Sequence, residues 1–100
     1  MPRRLPVPNR PTAEWTLLTN HAHVLVCLSR DSTQRMRNIA LLVGVTERAV
    51  QRIVKELTAD GFIVVSKVGR NNHYSVNDRL PLRHPLEAHR TVRDLLALVR

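Results

Sequence analysis

Two apolar stripes at helical spacing, separated by one glycine, fix most of what this chain can fold into. In the run from Arg37 to Ile63 (RNIALLVGVTERAVQRIVKELTADGFI), Ile39, Ala40 and Val43 form the first stripe. Val50, Ile53, Val54 and Leu57 fall at i, i+3, i+4 and i+7 of the second. Gly44 stands between them, where two helices joined by a three- or four-residue turn need a tight backbone. Ala40, four residues earlier, is small enough for the helices to cross closely. Val45 plugs the corner and Thr46 caps the next helix with its hydroxyl.

The neighbouring segments extend this unit. Thr19 or Asn20 caps a helix running to about Arg30, with Ala22, Leu25, Val26 and Leu28 facing inward. The segment Trp15 to Leu18 either extends that helix backwards from Thr12 or forms a separate apolar piece. Asp31-Ser32 breaks the helix, and Thr33-Gln34 is a candidate very short strand. A second helix covers Gln34 to Val43, and a third Thr46 to Ala59, stopped by Gly61 in a left-handed conformation. Phe62 to Val68 is rich in β-branched residues and reads as a strand. Gly69-Arg70-Asn71-Asn72 reads as a turn and His73 to Val76 as the return strand. Tyr74 and Val76 alternate on it as core residues. After a Pro-punctuated connector, Pro85 suits the first turn of a last helix, Leu86 to Arg100.

The predicted fold is therefore α+β, mainly α: three helices and a β-hairpin, with an extra C-terminal helix. Three parts follow: a basic, Pro-rich extended arm at 1–11, a central domain at 12–80 and a helical segment at 81–100. The arm holds four prolines and three arginines and reads as a loose tail or as a strand of charge lying along a groove.

Charge narrows the function. Sixteen Lys and Arg against eight Asp and Glu leave a formal +8, a self-repulsion that a polyanionic partner offsets. Arginine outnumbers lysine heavily, which suits bidentate contacts to phosphate or guanine. Charge alone does not separate DNA, RNA and an anionic membrane. No run approaches transmembrane length, and no apolar core of a secretory signal is expected at the N-terminus. The single Cys27 excludes an internal disulfide framework and fits a reducing cytoplasm.

The pattern Ile39-Ala40, Val43-Gly44-Val45, Val50 and Ile53 resembles the helix-turn-helix of bacterial regulators. Leu57, Gly61-Phe62-Ile63 and the hairpin to Val76 resemble the winged subtype of MarR- and ArsR-type repressors. The resemblance spans about Asn20 to Val76. It implies a cytoplasmic, nucleoid-associated transcription regulator of a bacterium or archaeon that binds double-stranded DNA. Its recognition helix, 46–59, would enter the major groove, and its wing, 66–74, would meet the minor groove or backbone.

Helix phase then assigns side chains. With the apolar stripe inward, Glu47, Arg48, Gln51, Arg52 and Lys55 face outward. Arg48, Gln51 and Arg52 are the base-reading candidates, Arg for guanine and Gln for adenine. Thr46, Lys55, Lys67, Arg35 and Arg37 are candidates for the DNA backbone. Glu47 either accepts from a cytosine amino group or favours the helix dipole. Arg70, with Asn71 beside it, is the candidate for a narrow minor groove. In the last helix, Ala88, Val92, Leu95, Leu96 and Val99 share a side. Val92, Leu95, Leu96 and Val99 are expected to pair with a second copy, with Trp15, Leu17 and Leu18 assisting; folding back on their own domain is the alternative. A homodimer implies a palindromic site with half-sites about one helical turn apart.

Other readings are weaker. His23 and Cys27 are spaced i, i+4, but His21 lies on another azimuth and His84 and His89 are five apart, so no metal site is expected. No nucleophile–base pair, Gly-rich phosphate loop or acid cluster is present, so neither catalysis nor a cofactor is expected. A small effector would have no dedicated domain and would need a subunit interface. A winged helix serving as a protein–protein module is the main alternative. RNA ranks below it, because A-form major grooves exclude a reading helix.

Overall fold

The computed structural model describes residues 14–99, so the proposed arm at 1–11 lies outside the described residues. Among them the order is α1 (Asn20–Arg30), α2 (Met36–Val43), α3 (Glu47–Ala59), β1 (Ile63–Val68), β2 (Asn71–Val76) and α4 (Val92–Leu98). The first three helices lie where the apolar spacing places them, with α2 starting at Met36 rather than Gln34, and a hairpin follows them.

Each local boundary has a chemical cause. Thr19 caps α1 by accepting from the Ala22 N–H at 3.2 Å. Thr46 caps α3 by accepting from the Ala49 N–H at 3.0 Å. Gly44 ends α2 with φ +88°, and its N–H donates to the Ala40 carbonyl at 2.8 Å. Such a left-handed residue suits glycine because a Cβ would crowd the following carbonyl. The chain then turns through Val45, whose N–H shares the Ala40 carbonyl, straight into the α3 cap.

The core is continuous. Val24, Leu25 and Leu28 of α1 meet Ile39 and Ala40 of α2 and all four predicted residues of α3, closed below by Phe62 and Ile63. Each fully buried aliphatic side chain contributes about 1.5–3 kcal/mol relative to exposure. Val26 of α1 is only half-buried and Val24 takes its predicted place.

Three expectations change. Thr33-Gln34 is no strand: the Asp31 carboxylate accepts from the Thr33 N–H at 3.0 Å and its hydroxyl at 2.7 Å, folding the chain into a turn. Strand-like contact falls instead on Ser32, whose carbonyl accepts from the Tyr74 N–H at 2.9 Å. Asn71 and Asn72 are not turn residues. They open β2, pairing with Val68 and Lys67, and the turn shrinks to Gly69-Arg70. Gly69 at φ +64° supplies the positive first position that a tight hairpin needs.

The third change concerns the C-terminus. Residues 84–90 are turns rather than the first half of a helix, with Glu87 N–H donating to His84 O and Arg90 N–H to Glu87 O. The chain loops out and returns, so that Pro81 and Thr91 form a bridge. Helix α4 starts only after Thr91, which forms a capping box with Asp94. Val92 and Leu96, 1% and 3% exposed, sit in the protomer's own core. The alternative of folding back therefore describes these two residues, because α4 roofs the α1 side of the core. Leu95 and Val99 stay half-buried and Ala88 lies in the turns.

Candidate nucleic-acid interface

Helix α3 is held from behind by Val50, Ile53, Val54 and Leu57, all buried, so its opposite face is fixed toward solvent. Arg48, Gln51, Arg52 and Lys55 are exposed on that side. Among the described residues, Arg48 and Lys55 have no acidic partner. Arg52 does: its guanidinium lies 3.4 Å from Glu56, one turn along. Glu56 in turn contacts the His21 ring on α1 at 2.8 Å. Arg52 therefore lies on the Glu56 side of α3, toward α1, and reaching any other partner requires leaving Glu56. The pair is exposed, so this costs little. The i, i+4 spacing of Arg52 and Glu56 is legible in the sequence; the third member, His21, is brought in only by the packing of α1 on α3.

Thr46 has a double capacity. Its oxygen accepts from Ala49, and its hydroxyl hydrogen remains to donate to a phosphate oxygen. Glu47 lies in the first turn of α3, where a carboxylate favours the dipole.

Arg35 and Arg37 flank the start of α2. Arg35 is the N-cap position, makes no side-chain cap, and no acidic residue occupies the first turn. Two cations at the positive end of a helix oppose its dipole. An anion at that end reverses the sign, meeting unpaired N–H groups and guanidinium together.

The hairpin carries the remaining candidates. Arg70 occupies the turn itself, Asn71 the first position of β2, and Lys67 pairs across with Asn72. The Asn72 amide donates to the Tyr74 hydroxyl at 3.2 Å. Tyr74 and Val76 pack against the core, as their alternation requires.

The cations divide into paired and unpaired. The close ion pairs Arg52–Glu56, Arg83–Asp60 and Arg93–Asp78 engage the second half of α3 and the C-terminal segment. Arg35, Arg37, Arg48, Lys55, Lys67 and Arg70 form no ion pair among the described residues. Arg30 instead donates to the Val99 carbonyl at 2.7 Å, tying α1 to the end of α4.

Two other features lie away from these cations. A groove of about 590 Å³ runs between the start of α1, the second half of α3 and the C-terminal segment, with Leu25, Leu57 and Phe62 among its walls. It lies within one protomer. Cys27 is half-buried, and burial raises its thiol above the ordinary value. No group of three or more metal-ligating side chains converges among the described residues. No described helix is long and apolar enough to cross a membrane.

Residues 18–64 match the family model described as winged helix-turn-helix DNA-binding. No curated protein matches the chain. The match spans α1, α2, α3 and the first residues of β1, and the two-stranded hairpin completes the wing beyond it. The described residues have a winged helix-turn-helix fold, similar over residues 18–64 to that DNA-binding family and closed on one side by the C-terminal helix.

Proposed function

We propose that the protein is a sequence-specific regulator of transcription, acting as a homodimer on duplex DNA in the manner of MarR- and ArsR-type regulators and without catalysis of its own. In this reading the first two turns of α3 lie in the major groove. Arg48 and Gln51 read base edges, and Arg52 joins them when it leaves Glu56. Arg35, Arg37, Thr46, Lys55 and Lys67 hold phosphates, and Arg70 with Asn71 meets the adjoining minor groove. The observation that carries the reading is the exposed, acid-free pair Arg48 and Lys55 on a helix whose other face is anchored in the core.

Selection of bound duplexes from a random pool tests it. A consensus is expected, and Arg48→Ala or Gln51→Ala should relax one position of it at a cost of about 1–3 kcal/mol. Lys55→Ala or Arg70→Ala should weaken all duplexes alike. No duplex binding at low salt sinks the reading. That result would favour the protein–protein module, which the exposed Leu41 and Leu42 on the outer side of α2 support.

A further inference from the structure

β1 has an open edge. The pair Val68↔Asn71 closes a two-residue turn, and in such hairpins the closing pair exchanges both backbone hydrogen bonds. The N–H and C=O groups of Val64, Ser66 and Val68 therefore point to β2. The Asn77 N–H donating to the Phe62 carbonyl, and the Tyr74 N–H turned outward to Ser32, fit the same parity. The backbone groups of Ile63, Val65 and Lys67 face away from β2, with no strand beside them among the described residues. From Val64 onward every residue of β1 is exposed, Val64 by 58% and Val68 by 60%. An apolar, β-branched, unpaired edge of this length is a template for another strand.

The side-chain order says which strand. Val64, Ser66 and Val68 share one face of β1 and read the same in both directions about Ser66. We propose that the wing edge pairs with β1 of a second copy, antiparallel, across a two-fold axis through Ser66. In this register Val64 meets Val68 of the second copy, Ser66 meets Ser66, and Val65 meets Lys67. Both apolar cross-strand pairs are made and no like charges oppose. Moving the second strand by two residues one way sets Lys67 against Lys67. Moving it the other way sets Val64 against Ser66 and Lys67 against Ile63. A one-residue slip leaves outward backbone groups facing groups already used in the hairpin. Only the Ser66-centred register satisfies both strands.

The result is a four-stranded sheet joining two domains, in which each Gly69-Arg70 turn lies beside Phe62 and Ile63 of the second copy. It deepens the two-copy part of the proposed function, placing it on the wing rather than on α4, and is independent of the DNA part.

The register makes the test sharp. Ser66 and its copy form a pair without mutual hydrogen bonds, about 4.5 Å apart at Cα, within the roughly 4.4–6.8 Å that a disulfide spans. In the full chain carrying Cys27→Ala, Ser66→Cys should give a covalent dimer under mild oxidation without DNA. Val65→Cys and Lys67→Cys should not. Val64→Lys with Val68→Lys, both at exposed positions, should leave the helical circular dichroism unchanged and convert the sedimenting dimer to monomer. Crosslinking at Val65→Cys or Lys67→Cys in place of Ser66→Cys overturns the proposal. So does a doubly lysine-substituted chain that stays dimeric, through Trp15 and Leu17 or otherwise. A wild-type chain monomeric at every concentration, with no Ser66→Cys crosslink, overturns it too. A dimer that ignores duplex DNA fails the regulator reading alone.

Discussion

At the scale of single residues, the turn between α2 and α3 rests on backbone conformation rather than on space. A Cβ at Gly44 would meet nothing within 4 Å, yet φ is +88°. Gly44→Ala should therefore cost about 1–2 kcal/mol through the left-handed backbone alone, with Gly44→Asn costing less. Urea denaturation of both variants measures this, and equal stability to wild type would refute it. Thr46→Ala removes the acceptor for the Ala49 N–H and should cost about 1 kcal/mol, with Thr46→Ser restoring it. Glu56 acts differently in the proposed reading, where its contact with Arg52 competes with a duplex. Glu56→Gln should tighten duplex binding a few-fold, consistent with the ~0–1 kcal/mol of an exposed pair. In an Arg52→Ala background most of that gain should vanish; a gain that persists in full would show that Glu56 acts only by its charge.

At the scale of elements, the C-terminal helix is part of the fold. Leu96 is 3% exposed within one protomer, so Leu96→Ala should destabilise the chain by about 2–5 kcal/mol and lower its melting temperature. An interface residue would instead change the mass and spare the protomer. The start of α4 is also pH-sensitive. The Thr91 N–H donated to Asp94 holds that carboxyl below its ordinary range, aided by the Thr91 hydroxyl and by Arg90 and Arg93. A carboxyl depressed in the folded state stabilises above its unfolded pKa, and that contribution is lost as pH falls through the folded value. Acid should therefore loosen α4, and Asp94→Asn should flatten this part of the stability–pH curve. Asp31, depressed by the Thr33 hydroxyl and N–H, acts in the same direction at the end of α1. An unchanged acid limb in the Asp94→Asn variant would rule out its part.

At the scale of the whole molecule, Arg35, Arg37, Arg48, Lys55, Lys67 and Arg70, around α2, α3 and the wing, form no ion pair among the described residues, while in the C-terminal segment Arg83 and Arg93 are paired and Arg79 and Arg90 are not. So many unpaired cations repel one another, and a polyanion would offset that repulsion. Duplex affinity should fall with salt at a log–log slope of about −0.9 per phosphate neutralised. Lys55→Ala should reduce the slope by about that unit, whereas Arg93→Ala, already paired with Asp78, should leave it unchanged. Equal effects of the two substitutions would mean that the difference between paired and unpaired cations carries no function.

Local chemistry alone determined α1, α2, α3, the glycine turn and the hairpin, because apolar spacing, Thr caps and Gly at positive φ act within a few residues of one another. The capping box Thr91-Val92-Arg93-Asp94 is local as well, whereas Pro85 and the apolar stripe point to a helix start earlier than the one the chain adopts. Tertiary structure decided what periodicity cannot encode, namely which surface a stripe covers. Val92 and Leu96 satisfy an amphipathic pattern whether they pack on their own core or on a partner, and only the loop returning at the Pro81–Thr91 bridge directs them inward. Likewise the contact between Arg52 and Glu56 is local, whereas the meeting of Glu56 with His21, 35 residues away, exists only once α1 lies across α3.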